Sequence, residues 1–236
     1  MTIGGVLGDA WKLYTRFLGR FFLTAFAVFV VLDLLSALAD QAAGDGWVSQ
    51  LVWSLVAATV GFVGYFWVQA ALVETVRDVR DGRADRSIGE TYSTVGPRLP
   101  AAILGGILAA IGIFIGLVLL IIPGLYLLTI WSMLIPVIVL EGRSAGEAFG
   151  RSQDIVRGHG WSVFGLVVIT FLIVAIAAGL IAALFSPLPD FLDSWLGSLV
   201  AHSITVPFAA AALTTAYFAL AQPATSTEAP TVVTPQ

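Results

Sequence analysis

The apolar stretches of this chain contain two residues that can carry charge, an aspartate and a histidine. Asp33 lies seven residues before Asp40, where one apolar stretch ends, and His202 lies seven residues after Trp195, where another begins. At 1.5 Å per residue, both would lie about 10 Å below the same membrane surface. Ionisable side chains within membrane spans usually face a partner or a water-filled cavity. If the two helices adjoin, the pair is either a proton- or substrate-responsive site or a structural hydrogen bond.

A second group of charges follows the longest apolar run, at the start of an amphipathic segment from Ser144 to Gly160. Juxtamembrane basic residues contribute about 1 kcal/mol each near an acidic lipid leaflet, so this belt is a candidate surface for anionic lipid or a protein partner. Its nearly equal numbers of acids and bases argue against a strong polybasic lipid site and favour the alternative, a capped surface helix that is paired internally. The belt comprises Glu141, Arg143, Glu147, Arg151 and Arg157, with Asp154 among them.

The types of residue that enzymes and metal sites need are scarce. The chain has no cysteine and only two histidines, which are far apart, so thiolate chemistry and cysteine-based metal sites are excluded. Neither a nucleophile elbow, nor a dinucleotide fingerprint, nor a metal-ligand spacing occurs. We therefore expect no enzyme activity, no metal or cofactor, and no nucleic-acid partner.

The composition is that of a membrane protein. Of the 236 residues, 58% are hydrophobic and only 11% are charged, against about 45–50% and about 25% in soluble domains. We predict an all-α polytopic bundle of six transmembrane helices, arranged as three hairpins that each follow an amphipathic interfacial helix. The expected spans are about 21–39, 47–73, 100–122, 125–140, 161–185 and 195–221.

The run from Leu99 to Leu140 is too long for one span. As a single helix its 42 residues would measure about 63 Å, twice a hydrocarbon core of about 30 Å. Pro123 and Gly124 are the expected hairpin turn, because proline interrupts the helical ladder and glycine accepts turn geometry. Pro136 should kink the second arm.

The basic residues predict the orientation. All eleven Lys and Arg residues fall on one side of the six-span arrangement, whereas Asp40, Asp45, Asp190 and Asp193 fall on the other. Under the positive-inside rule, both termini are expected in the cytoplasm. Residues 222–236, which are polar and rich in Pro and Thr, are expected to form a disordered cytoplasmic tail.

Three segments begin alike and each precedes a span, which suggests an internal repeat. They start at Thr2, Ser87 and Ser144. In the second and third, Glu90 and Glu147 stand three residues after the serine and complete a capping box. The alternative is that any helix entering from the cytoplasm starts with a cap.

Four motifs follow one another between residues 99 and 165 and support a family resemblance: IPGLY from Ile122, PVIVLEG from Pro136, AFGRS from Ala148 and VRGHGW from Val156. This region resembles the membrane domain that precedes some bacterial glycerophosphodiester phosphodiesterases, and related uncharacterised six-span inner-membrane proteins. The resemblance implies a location in the bacterial cytoplasmic membrane. It does not imply catalysis, because the acidic and histidine cluster of such an enzyme is missing.

Two functions are compatible with these features. The first is a non-enzymatic scaffold that interacts with membrane lipids or docks a protein partner. The second is a small transporter or lipid-handling protein that uses Asp33 and His202, with Glu74, Pro136 and Pro207 as further polar or kinked points in or beside spans.

Overall fold

A computed structural model describes residues 2–44 and 46–221. The expected tail at 222–236, and Asp45 in the turn after the first span, lie outside the described residues. All regular structure in the described residues is helical, so the all-α prediction is confirmed. In chain order the helices are α1 (Ile3–Arg16), α2 (Leu18–Ala43), α3 (Trp47–Val79), α4 (Ile88–Val95), α5 (Leu99–Leu119), α6 (Ile121–Ile130), α7 (Leu134–Pro136), α8 (Ala145–Val156), α9 (Gly160–Phe185), α10 (Asp190–Leu192) and α11 (Ser198–Ala221).

Six helical stretches are long and apolar enough to cross a membrane, which indicates a multi-pass membrane protein. Three of them combine shorter elements. In these, α4 continues through a 3₁₀ turn into α5, α6 is followed by α7 and a π-helical turn at Val137–Glu141, and a π-helical turn at Asp193–Gly197 leads from α10 into α11. The six stretches are Leu18–Ala43, Trp47–Val79, Ile88–Leu119, Ile121–Glu141, Gly160–Phe185 and Asp190–Ala221.

The turn of the central hairpin differs from the prediction. The chain reverses at Leu120, which has extended backbone angles (φ −157°, ψ 134°), and Pro123 and Gly124 lie inside α6. Proline is tolerated there because the first amides of a helix have no intrahelical partner. Gly124 is needed for close packing and not for a turn. A Cβ built on Gly116 would lie 2.9 Å from the Gly124 Cα. The two glycines therefore let α5 and α6 approach closely.

The second arm of this hairpin is irregular one turn earlier than expected. Helical geometry breaks at Trp131–Met133, before Pro136, and resumes in α7 and a π-helical turn at Val137–Glu141. The hydroxyl of Ser132 donates to the Thr129 carbonyl across this break (2.8 Å). The side chain thus satisfies a carbonyl at the end of α6, in a region where polar backbone groups need internal partners.

The helices form three units, each a short helix followed by two long stretches: unit 1 is α1–α3, unit 2 is α4–α7 and unit 3 is α8–α11. Each short helix donates a side-chain hydroxyl to a backbone carbonyl of the preceding unit, and unit 1 reaches unit 3. These hydrogen bonds run from Tyr92 to Thr24 (2.6 Å), from Ser152 to Ile130 (2.7 Å) and from Tyr14 to Ile204 (3.0 Å). The units therefore contact one another in a circle.

The core lies where these units meet. One buried cluster joins the central hairpin to α1, α8 and the ends of α9 and α11, and another joins α1, α2, α3 and α11. In α11, Ala210, Ala211 and Ala212 are almost fully buried, because small side chains let neighbouring helices pack closely. We call the end of the bundle that carries the Lys and Arg residues the basic end, and the end with Asp40, Asp190 and Asp193 the acidic end.

Candidate functional site

The structure brings Asp33 and His202 together. The Nδ1 of His202 lies 3.0 Å and 3.1 Å from the two carboxylate oxygens of Asp33. An ionised carboxylate only accepts hydrogen bonds, so this nitrogen is the donor when Asp33 is ionised. Phe29, one turn before Asp33, packs against the imidazole with ring centroids 5.0 Å apart. The pair holds α2 of unit 1 against α11 of unit 3.

The pair is unequally buried. The Asp33 side chain is 10% exposed, whereas that of His202 is 44% exposed, so the imidazole is reachable from the surface of the bundle. No serine or threonine hydroxyl bonds to the ring among the described hydrogen bonds, and the described residues contain no cluster of metal-ligating side chains. The arrangement can therefore hold or pass a proton, but it lacks a nucleophile in contact with its base.

The belt of charges after the central hairpin separates into three parts in the structure. Glu141 is the centre of the first part: it accepts from Arg143 Nε (2.7 Å), Arg151 Nε (2.9 Å) and the Tyr217 hydroxyl (2.9 Å). Glu141 therefore faces α8 and α11 and pairs with two of the arginines, as the internally paired alternative predicts.

The second part, Glu147, belongs to the cap of α8. Its carboxylate accepts from the Ser144 hydroxyl (2.6 Å) and from the Ser144 backbone N–H (3.1 Å), and these two hydrogen bonds lower the pKa of Glu147. Ser87 and Glu90 form the same reciprocal cap on α4. The third part, Arg157, is exposed and lies 3.7 Å from Asp154.

A buried network of ion pairs lies at the basic end, and the sequence did not lead us to predict it. Glu74 is fully buried at the end of α3 and pairs with Arg86 and with Arg77 (3.4 Å). Arg20 of α2 extends the network by lying 3.7 Å from Asp78 and donating to the Thr91 hydroxyl (3.0 Å). These contacts tie unit 1 to α4.

The signal that locates this network is a recurrence. Glu74 and Glu141 each end the second apolar stretch of a unit, each after an aliphatic residue, and each is followed by an arginine two or three positions later. Each also pairs with a second arginine, 12 and 10 positions further on. A comparison of the ends of the predicted spans would have identified Glu74 as the counterpart of Glu141.

An apolar cleft of about 750 Å³ lies between α6 and α9. We call it the α6–α9 cleft. Its walls include aromatic side chains that are otherwise exposed, Tyr126 at 57% and Trp161 at 87%, so it opens on the outer surface of the bundle. It is lined by Ile122, Leu125, Tyr126, Thr129, Ile130, Gly158, Gly160, Trp161 and Phe164.

The hydroxyl of Thr129, which lines this cleft, is engaged within the protein. The Thr129 hydroxyl donates to the Leu125 carbonyl (2.7 Å) within α6. A side chain at Gly160 would meet no other atom within 4 Å, so open space faces this position at the start of α9. Ligand pockets typically measure about 300–1,000 Å³ and are mostly apolar. The cleft therefore has the size and lining of a site for a hydrocarbon chain.

A second apolar groove, of about 700 Å³, lies between α1 and α2 on one side and α9 and α11 on the other. We call it the unit 3–unit 1 groove. A smaller cavity of about 430 Å³ at the basic end is lined by Arg151, Asp154 and Arg157 with residues of α11. None of these three cavities is lined by Asp33 or His202.

Comparison with known proteins identifies a family. A family described as Domain of unknown function (DUF7847) matches residues 87–220, which is more than half of the chain. No curated protein and no solved structure matches. The match begins at Ser87, the cap of α4, and extends over units 2 and 3. It carries no link to glycerophosphodiester phosphodiesterases.

Proposed function

The chain belongs to the family Domain of unknown function (DUF7847), and we propose that it is a non-enzymatic membrane scaffold that holds lipid between its helices. The observation that carries this proposal is the α6–α9 cleft. Its walls are helices apolar enough to cross a membrane, so the molecules that meet its opening are lipids. The aromatic residues Tyr126, Trp161 and Phe164 supply rigid apolar surface for an acyl chain.

The charge distribution supports the location. With all eleven basic residues at one end, the positive-inside rule puts that end and both termini in the cytoplasm. That this membrane is the cytoplasmic membrane of a bacterium is part of the proposal and is what the resemblance over residues 99–165 implies. Trp161, at the start of α9, suits a membrane interface, where tryptophan is enriched.

The recurrence of the three units supports a common origin by internal repetition. Each unit has a short helix before two long stretches, two of the three short helices carry a capping box, and the units contact one another in a circle. All three enter the membrane from the same side, as parallel repeats do. We propose that these short helices also form the surface for a cytoplasmic or membrane partner.

A transporter or lipid-handling role for Asp33 and His202 is the second candidate, and their contact at 3.0 Å favours it. A transport path would require a cavity that joins the pair to one membrane face. The three cavities described above do not reach either residue and so do not form such a path.

The scaffold is tested by lipid mass spectrometry of the protein extracted in native nanodiscs. We expect Gly160→Leu to fill the α6–α9 cleft and to remove a tightly retained lipid. Gly179→Leu is the matched control, because a side chain at Gly179 on the same helix would also meet no atom within 4 Å and lies outside the cleft. Equal retained lipid in the parent and Gly160→Leu would contradict the proposal.

A further inference from the structure

The unit 3–unit 1 groove is separate from the α6–α9 cleft and lies on the other side of α9. Its volume is about 700 Å³, and aromatic side chains of α1, α2 and α11 form much of its wall. Trp11 and Tyr14 pack edge-on against Phe208, with ring centroids 6.0 Å and 5.9 Å apart. Its shape is therefore set by rigid rings rather than by flexible side chains.

The hydroxyl groups along this groove are engaged within the protein. Tyr14 donates to the Ile204 carbonyl (3.0 Å), Thr15 to the Trp11 carbonyl (2.8 Å) and Thr205 to the Ala201 carbonyl (2.7 Å). A ligand inside the groove thus finds no free polar partner among these side chains. The part of a ligand that enters must be hydrocarbon.

Two basic residues of α1, Lys12 and Arg16, are next in sequence to Trp11 and Thr15, which line the groove. The Lys12 side chain is 81% exposed and lies 3.8 Å from the similarly exposed Asp9, and such exposed pairs are weak. Arg16 is exposed and reaches the Gly82 carbonyl at 3.5 Å. Neither cation is neutralised by a buried acid, so both are available to a negatively charged group.

The contact between units 1 and 2 shows how the protein fills such a space with its own residues. There Trp67 and Tyr92 pack edge-on with ring centroids 5.5 Å apart, and the Trp67 indole N–H donates to the Tyr92 carbonyl (3.4 Å). Between units 3 and 1, an apolar groove of about 700 Å³ remains open. An external molecule with a hydrocarbon chain and a negative headgroup would complete this contact.

We infer that this groove binds a phospholipid with a net negative headgroup, with one acyl chain inside the groove and the headgroup at Lys12 and Arg16. The inference rests on the proposed lipid-holding function but concerns different residues. The occupant is a lipid of the surrounding membrane, and the α1 helix is the element that selects its charge.

The test uses the purified full chain in nanodiscs made from equal amounts of phosphatidylglycerol and phosphatidylcholine. Mass spectrometry then measures the ratio of the two lipids that stay with the protein on release. We expect the parent to be enriched in phosphatidylglycerol and Gly19→Leu to lose that enrichment, since Gly19 lines the groove and a side chain there would meet no atom within 4 Å. Lys12→Gln and Arg16→Gln should each reduce the enrichment, by about fivefold.

Gly61→Leu on α3 is the control and should behave like the parent, because its position also has open space but lies outside the groove. An unchanged lipid ratio in Gly19→Leu, or in the variant that carries both Lys12→Gln and Arg16→Gln, would overturn the inference. Gly160→Leu separates the two proposals: it should remove lipid from the α6–α9 cleft and leave the phosphatidylglycerol enrichment in place.

Discussion

Asp33 and His202 are 169 positions apart in the chain, yet the imidazole Nδ1 of His202 lies 3.0 Å from the Asp33 carboxylate. The contact joins α2, the first long helix, to α11, the last. It lies toward the acidic end of the bundle, whereas the Tyr14–Ile204 hydrogen bond joins the same two units through α1. The circle of units is thus closed by two separate polar contacts.

We expect Asp33 and His202 to be coupled in stability. Hydrogen bonds between membrane helices contribute about 0.6 kcal/mol on average and up to about 1.7 kcal/mol, so a double-mutant cycle of Asp33→Asn and His202→Ala should give a coupling energy in that range. The free energy of unfolding in detergent micelles is the quantity to measure. Asp40→Asn, an exposed change on the same helix, should be close to neutral. If the changes in the free energy of unfolding of the two single variants simply add up in the double variant, the contact does not contribute to stability and the prediction is wrong.

Glu74 should be more important for stability than any exposed ion pair. Its carboxylate is fully buried and serves both Arg86 and Arg77, so Glu74→Gln leaves two guanidinium groups without their acid. Both arginine side chains are more than one third exposed, and we expect a loss of about 1–3 kcal/mol rather than the full cost of a buried charge. The same denaturation assay should show little change for Asp9→Asn, whose pair with Lys12 is exposed. Similar losses for the two variants would contradict this.

The stabilisation of α8 by its Ser144–Glu147 cap should decrease at acidic pH. Two hydrogen bonds from Ser144 lower the pKa of Glu147 in the folded protein. A carboxyl group with a lowered folded pKa stabilises the fold above its unfolded pKa of about 4.3, and this contribution is lost as the pH falls through the folded value. Hydrogen exchange of the α8 amides should therefore be slower in the parent than in Glu147→Gln near neutral pH, and the difference should shrink below about pH 4. A difference that is constant with pH would contradict the assignment.

The central hairpin provides a test that separates its two candidate turn residues. Pro123 lies in the first turn of α6, so Pro123→Ala should cost little stability. A Cβ on Gly124 would lie 2.6 Å from the Leu117 backbone nitrogen, and overpacking of this kind costs about 1–3 kcal/mol. Gly124→Ala should therefore be clearly destabilising in thermal unfolding, whereas Gly146→Ala, in open space on α8, should not be. A larger loss of stability for Pro123→Ala than for Gly124→Ala would contradict this account and would favour a turn at Pro123-Gly124.

The helices could be predicted from the sequence because hydropathy and charge are properties of the chain itself. A deficit of charged residues indicates membrane spans. A capping box depends only on two side chains three positions apart, so Ser87 and Ser144 could be identified as helix caps. Asp33 and His202 were predicted to lie at one depth from their distances to the span ends, but their contact depends on whether α2 and α11 adjoin, which the sequence does not decide.

Other features depend on contacts between distant residues. Gly116 and Gly124 are recognised as a packing pair only when α5 and α6 lie side by side. Glu141 was expected at the surface, but Tyr217, 76 positions away, and Arg151 draw its carboxylate inward. The clefts beside α9 arise from gaps between units, and no local sequence pattern encodes a gap.

The central claim is that lipid occupies the α6–α9 cleft, and photocrosslinking tests it most directly. The protein is incorporated into membranes that contain a phospholipid with a diazirine on its acyl chain, illuminated, and digested for mass spectrometry. We predict that crosslinks concentrate on Tyr126, Trp161 and Phe164, and that Gly160→Leu removes them while Gly179→Leu does not. Crosslinks spread evenly over the exposed faces of α3 and α9, with no dependence on Gly160→Leu, would contradict the account.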